Sequence, residues 1–86
     1  MKTIYFDSTS SEYRKNWECN RLFLWGQMHY FKDMVKYRGY LYLNQIYENL
    51  GIAWNPNEEN ICYRNPNTFS INFGTDGDGR TIVTIG

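Results

Sequence analysis

The chain has 86 residues, no net charge (nine Lys+Arg against nine Asp+Glu) and 19% aromatic residues, made up of eight Tyr, five Phe and three Trp. Disordered chains have few aromatics and a large net charge, and nucleic-acid binders usually carry a basic excess, so both classes are disfavoured. No apolar run reaches the ~20 residues of a membrane span, and the start MKTIYFDSTSS lacks the apolar stretch of a secretory signal.

At this length one domain over residues 1–86 is expected, with stability limited by how much surface the chain can bury. Large aromatics offset that limit, since each buries about 150–250 Å². Cys19 and Cys62 read as two free, mostly buried thiols in a reducing compartment, and the expected location is the cytoplasm.

In chain order, Thr3–Phe6 reads as a short strand. Thr9-Ser10-Ser11-Glu12 fits a capping box, a hydroxyl followed three residues later by a carboxylate. A helical pattern then runs from about Ser10 to Lys36, stopped by Gly39. Gly26 lies inside it, at a cost of up to about 1 kcal/mol relative to alanine, and marks a kink or a close approach of another backbone. Asn44 can cap a short helix over Gln45–Leu50, which Gly51 closes. Ile61–Arg64 is a strand, Asn65-Pro66-Asn67 a turn, and Thr68–Phe73 alternates, with Phe69, Ile71 and Phe73 on one face. Thr75-Asp76-Gly77-Asp78-Gly79 connects it to a closing strand at Arg80–Ile85. The expected fold is α+β: one long and one short helix packed on a small antiparallel sheet, a meander with a C-terminal hairpin.

At ~100° per residue the long helix carries two apolar stripes. Tyr13, Trp17, Leu24, Met28, Phe31 and Val35 form the first and face the sheet; Cys19, Phe23, Tyr30, Met34 and Tyr37 form the second. The second stripe is covered either by the domain itself or by an interface, with a homodimer through the long helix as the commonest form. The remaining arc holds Arg14, Glu18, Arg21, His29, Lys32 and Lys36, with Leu22 and Trp25 among them. Scattered apolar residues are ordinary on a surface, yet Trp25 beside Arg21 and His29 has the composition of an interface hot spot. Trp17, Phe31, Phe69 and Phe73 are expected to build the core. Trp25, Tyr30, Tyr40 and Tyr42 exceed what one small core needs. The neutral sum also hides an asymmetry: seven basic and four acidic residues up to position 40 give +3, and the rest gives −3.

Chemistry-bearing motifs are sparse. Asp76-Gly77-Asp78-Gly79 begins like a calcium loop, but position five is Arg80 and position twelve falls past the last residue, so a hairpin turn explains it better. His29 and Asp33 share a helical face without a third ligand, and the two cysteines lack zinc spacing. A Cys–His nucleophile has no visible orienting partner. The expectation is therefore no enzyme, no cofactor and no metal. Tyr40 and Tyr42 on one strand face could stack bases, but Arg38-Gly39-Tyr40-Leu41-Tyr42 departs from the RNA-recognition signature, and the zero net charge weighs against nucleic acid.

The segment Tyr30-Phe31-Lys32-Asp33 through Arg38-Gly39-Tyr40-Leu41-Tyr42-Leu43-Asn44-Gln45-Ile46-Tyr47-Glu48-Asn49-Leu50-Gly51, with Phe69-Ser70-Ile71-Asn72-Phe73-Gly74, resembles small proteins of bacteriophages and integrated mobile elements. The resemblance covers about half the chain and brings no catalytic residue with it. It implies a viral or mobile-element origin and two roles: a small inhibitor of a host defence protein, of the anti-CRISPR kind, or a virion assembly component. A protein-interaction module is the leading expectation, with a host or phage protein as partner. Its candidate contact residues are Arg21, Trp25, His29, Tyr30, Tyr37, Tyr40 and Tyr42. Virion assembly and single-stranded nucleic-acid binding are the alternatives.

Overall fold

A computed structural model describes all 86 residues. Strand β1 (Lys2–Tyr5) precedes a loop and helix α1 (Trp17–Asp33), which runs without a break through Gly26 into a π-helical turn, Met34–Arg38. Then come β2 (Leu41–Tyr42), α2 (Leu43–Asn49), a 3-10 turn at Pro56–Glu58, β3 (Cys62–Tyr63), β4 (Ile71–Thr75) and β5 (Thr81–Ile85). The fold is α+β, as the periodicity predicts.

The main sheet has the order β1-β5-β4, all antiparallel, and β2 pairs with β3 in a separate two-stranded ribbon. The expected meander is thus corrected: β3 leaves the sheet and β1 takes an edge. Leu41 and Leu43, both fully buried, hold the β2 segment in the core. The ribbon is lengthened by the Leu43 N–H donating to the Ile61 carbonyl at 2.9 Å. Asn65 then redirects the chain, accepting the Asn67 N–H on its side chain, before β4 begins.

Register explains which strand residues face the helices. Ile4, Val83 and Phe73 align in one row, and Lys2, Ile85 and Ile71 in the next. Leu24, Met28, Phe31 and Val35, at helical spacing, bury against this face together with Leu41, Leu43, Ile46, Tyr47 and Leu50. Phe6 continues the inward row of β1, stacks on Phe23 at 5.8 Å and meets Tyr13 edge-on at 5.7 Å. Phe69 and Phe73 are half-buried against the core, as expected of them. Trp17 is not in it: it falls in the first turn of α1, beside the β4–β5 loop, and stays 46% exposed.

The helix begins later than its pattern suggests, because the residues read as a capping box are used elsewhere. Thr9 donates its N–H and its hydroxyl to the Asp7 carboxylate, and the Ser10 hydroxyl donates to the Leu50 carbonyl. The Ser11 N–H donates to the Gly51 carbonyl at 3.0 Å. Asn16 supplies the real cap, accepting the Cys19 N–H. Both cysteines are free, but Cys19 lies exposed on α1 and Cys62 is half-buried in the ribbon, which corrects the expectation of mostly buried thiols.

Two buried asparagines do the same job, one on each helix. Asn20 accepts the Arg14 N–H at 2.8 Å and donates to the Arg14 carbonyl at 2.6 Å. Asn44 accepts the Asn55 N–H and donates to the Asn55 carbonyl, both at 2.9 Å. Each side-chain amide imitates a peptide group and pins a loop to a helix. Asn44 is therefore not the cap of α2, which starts one residue before it, with the Gln45 side chain accepting the Tyr42 N–H. Asn44→Ala should cost roughly 1–3 kcal/mol, because Asn55 loses partners for both backbone groups. A urea-denaturation midpoint checks this.

Lys2, pointing inward at the sheet's end, reaches Glu58 at 2.7 Å. The Lys2 ammonium holds the Glu58 carboxyl below its ordinary range, with Tyr47 and Asn55 donating to the same group. Burial, then Glu58, pushes the Tyr47 phenol well above its ordinary value. Because folding lowers the Glu58 pKa, its stabilisation is complete above the usual value near 4.5 and is lost as pH falls through the lower folded value. Wild-type stability should therefore exceed that of Glu58→Gln at pH 7, and the gap should close in acid. Urea midpoints at pH 7 and at about pH 3 measure it.

Candidate interaction surfaces

The candidate contact residues fall into two separate groups. The first lies on the outward face of α1. At helical spacing Leu22, Trp25, Gly26, His29 and Tyr30 occupy positions i, i+3, i+4, i+7 and i+8, opposite the buried stripe. Leu22 is 60% exposed, Trp25 58% and Tyr30 47%. Trp25 and His29 meet edge-to-face, with ring centroids 4.3 Å apart, so His29 turns toward Trp25 and makes no ion pair with Asp33. Arg21 donates twice to Glu18, at 3.0 and 2.9 Å. A Cβ built at Gly26 would meet nothing, so the expected close approach of another backbone is absent within the chain. Gly26 instead leaves a notch between Leu22 and Tyr30.

The second apolar stripe is half closed by the domain itself. Phe23 stacks on Phe6, and Met34 packs on the core. Only Cys19, Tyr30 and Tyr37 of that stripe remain exposed. The unpartnered apolar surface therefore shifts around the helix to Leu22 and Trp25.

The second group sits where α1 ends. The Gly39 N–H donates to the Met34 carbonyl, closing the wide π-turn, and Gly39 reverses the chain at φ 89°. Tyr37 is 75% exposed beneath the Lys36 ammonium, 5.1 Å from its ring centre. The Arg38 guanidinium folds back over Tyr40 at 4.2 Å, with Arg64 from the end of β3 at 6.0 Å from the same ring. Tyr40 and Tyr42 meet edge-on at 6.0 Å. Arg38 lies two residues before Tyr40 in the chain and was within reach of sequence reasoning. Arg64 was not, since only the β2–β3 pairing brings it there. Beyond Tyr42 a shallow cleft carries Glu48, Glu59 and the exposed Trp54.

The rest of the surface offers little convergent chemistry. Cys19 and His29 are separated by ten residues of one helix, about 15 Å along its axis, and no hydrogen bond joins His29 to Cys62. No three His, Cys, Asp or Glu side chains stand close enough to hold a metal ion. In the β4–β5 loop, Asp76 Oδ1 accepts the N–H groups of Asp78 and Arg80. The Arg80 N–H leads the contacts that hold its carboxyl below the ordinary range. Gly79, at φ 79°, supplies the left-handed residue of a three-residue hairpin. The cleft beside Trp54 is lined by hydroxyls, but those of Thr9 and Ser10 are already committed. No helix is long and apolar enough to cross a membrane. No known protein family matches the chain, and no curated protein or solved structure is detectably similar to it.

Proposed function

We propose that this protein is a non-catalytic interaction module that docks the outward face of α1 into an apolar groove of a partner protein. The observation that carries the reading is the exposure of Leu22, Trp25 and Tyr30 on one face of a rigid helix, around a glycine with open space above it. Leu22, Trp25 and His29 stand at i, i+3 and i+7, the spacing of a helix laid in a groove, with Tyr30 beside them and a Trp among the anchors as hot spots favour. Buried Leu24, Met28 and Phe31 hold the other face of the helix fixed, so little side-chain and backbone entropy remains to be lost on docking.

The rim of the face selects the groove. Glu18 is occupied by Arg21, which leaves His29, Lys32 and Lys36 against Asp33, and an acidic rim complements that balance. The resemblance of residues 30–51 to small phage and mobile-element proteins suggests a host defence protein as the partner. Capture experiments with tagged wild type and Leu22→Asp/Trp25→Ala test the proposal. One stoichiometric partner retained by the wild type and lost by the equally folded variant supports it. Equal capture by both defeats it, and recovery in purified virions instead would favour an assembly role.

A further inference from the structure

The cationic tyrosine cluster at the end of α1 is unexplained by docking of the helix face, and apart from Lys36, which borders both surfaces, it is built from a different part of the chain. Every ion pair of the molecule lies elsewhere: Lys2 with Glu58, Arg21 with Glu18, and Arg80 with Asp76 and Asp78. Lys36, Arg38 and Arg64 have no carboxylate partner, and each stands against a tyrosine ring. A chain that is neutral in sum therefore carries three uncompensated cations interleaved with exposed aromatics.

Arg38 is held ready. Its Nε donates to the Tyr40 carbonyl at 3.2 Å and its Nη2 to Gln45 Oε1 at 2.9 Å. Both acceptors are neutral, so the guanidinium is fixed in place while its charge stays available. The π-turn beneath it is a second pointer, because such turns are rare and recur at functional sites. Glu48 and Glu59 line the neighbouring cleft past Tyr42 and repel an anion from that side, which confines a phosphate path to the Lys36–Arg38–Arg64 edge.

We infer that this cluster binds single-stranded nucleic acid. Lys36, Arg38 and Arg64 would contact phosphates, and the Tyr37 and Tyr40 rings would stack on unpaired bases. Paired bases keep their faces stacked on one another, so a duplex offers these rings nothing, and an acidic peptide offers charge without planar faces.

Fluorescence anisotropy of the full chain with a labelled oligo-dT of about 12 nucleotides tests it, alongside a duplex of equal length and a polyglutamate peptide. With three phosphate contacts, log K should fall with log salt at a slope of about 2, and Arg64→Ala should reduce that slope by about 0.7. Tyr40→Ala should weaken binding about 5- to 150-fold with the slope unchanged. Tyr37→Ala, at a ring outside the core, gives the same readout should Tyr40→Ala not fold. Leu22→Asp/Trp25→Ala should bind oligo-dT normally, so the two proposals can fail independently. Equal affinity for the duplex or for polyglutamate, no binding of oligo-dT at low salt, or indifference to both tyrosine substitutions would overturn the inference.

Discussion

Phe31→Ala should remove roughly 3–5 kcal/mol of stability, the range for deleting a fully buried phenyl ring. Phe31 has no exposed surface and lies mid-stripe between Leu24, Met28 and Val35, where α1 covers the sheet. The backbone of a helix pinned at one end by Asn20 and at the other by the π-turn cannot collapse far into the cavity. At about 0.05–0.15 kcal/mol per residue a domain of this size holds only some 4–13 kcal/mol in all, so the variant should be close to unfolding at room temperature. The urea midpoint should fall steeply with the slope of the transition unchanged.

Gly51→Ala should be nearly as severe, at roughly 2–5 kcal/mol, for two independent reasons. Gly51 has φ 72°, a left-handed conformation that disfavours any Cβ. That Cβ would also stand 2.5 Å from Ser11 Oγ, 2.7 Å from the Glu12 nitrogen and 2.9 Å from the Ser11 nitrogen. Two of those atoms are backbone, fixed by the Ser11 N–H bond to the Gly51 carbonyl, so the clash cannot be relieved by a rotamer. Two other glycines separate the causes. Gly39→Ala combines φ 89° with open space and should lose only about 1–2 kcal/mol. Gly26→Ala, helical and unobstructed, should gain up to about 1 kcal/mol. The order of melting temperatures should be Gly26→Ala, wild type, Gly39→Ala, Gly51→Ala.

What the sequence reveals of this fold is what local chemistry decides. The stripe from Leu24 to Val35, the stops at Gly39 and Gly51 and the β4–β5 hairpin depend on periodicity and on residues tolerant of positive φ. The helix start is obscured because Thr9 and Ser10 have hydroxyls that suit a cap equally well, and a local partner, Asp7, takes the first while a distant one, Leu50, takes the second. The exchange of β3 for β1 in the sheet depends on long-range pairing that alternation alone does not encode. Phe6 entered the core unannounced, since a short edge strand gives no measure of how deeply its last residue points inward.

The candidate surfaces divide in the same way. Trp25 and His29 are legible because helical spacing places them together, and the structure adds Leu22 and the Gly26 notch by showing which arc stays uncovered. Net charge conceals the second cluster: Arg64 joins Arg38 around Tyr40 only through the ribbon.

The docking face of α1 can be examined directly with a photo-crosslinking amino acid at position 25, compared with one at Asn72 on the exposed face of the sheet. Position 25 should yield a single adduct of defined mass in host lysate, and position 72 none. The same adducts from both positions, or none from position 25, would contradict the assignment of α1 as the recognition surface.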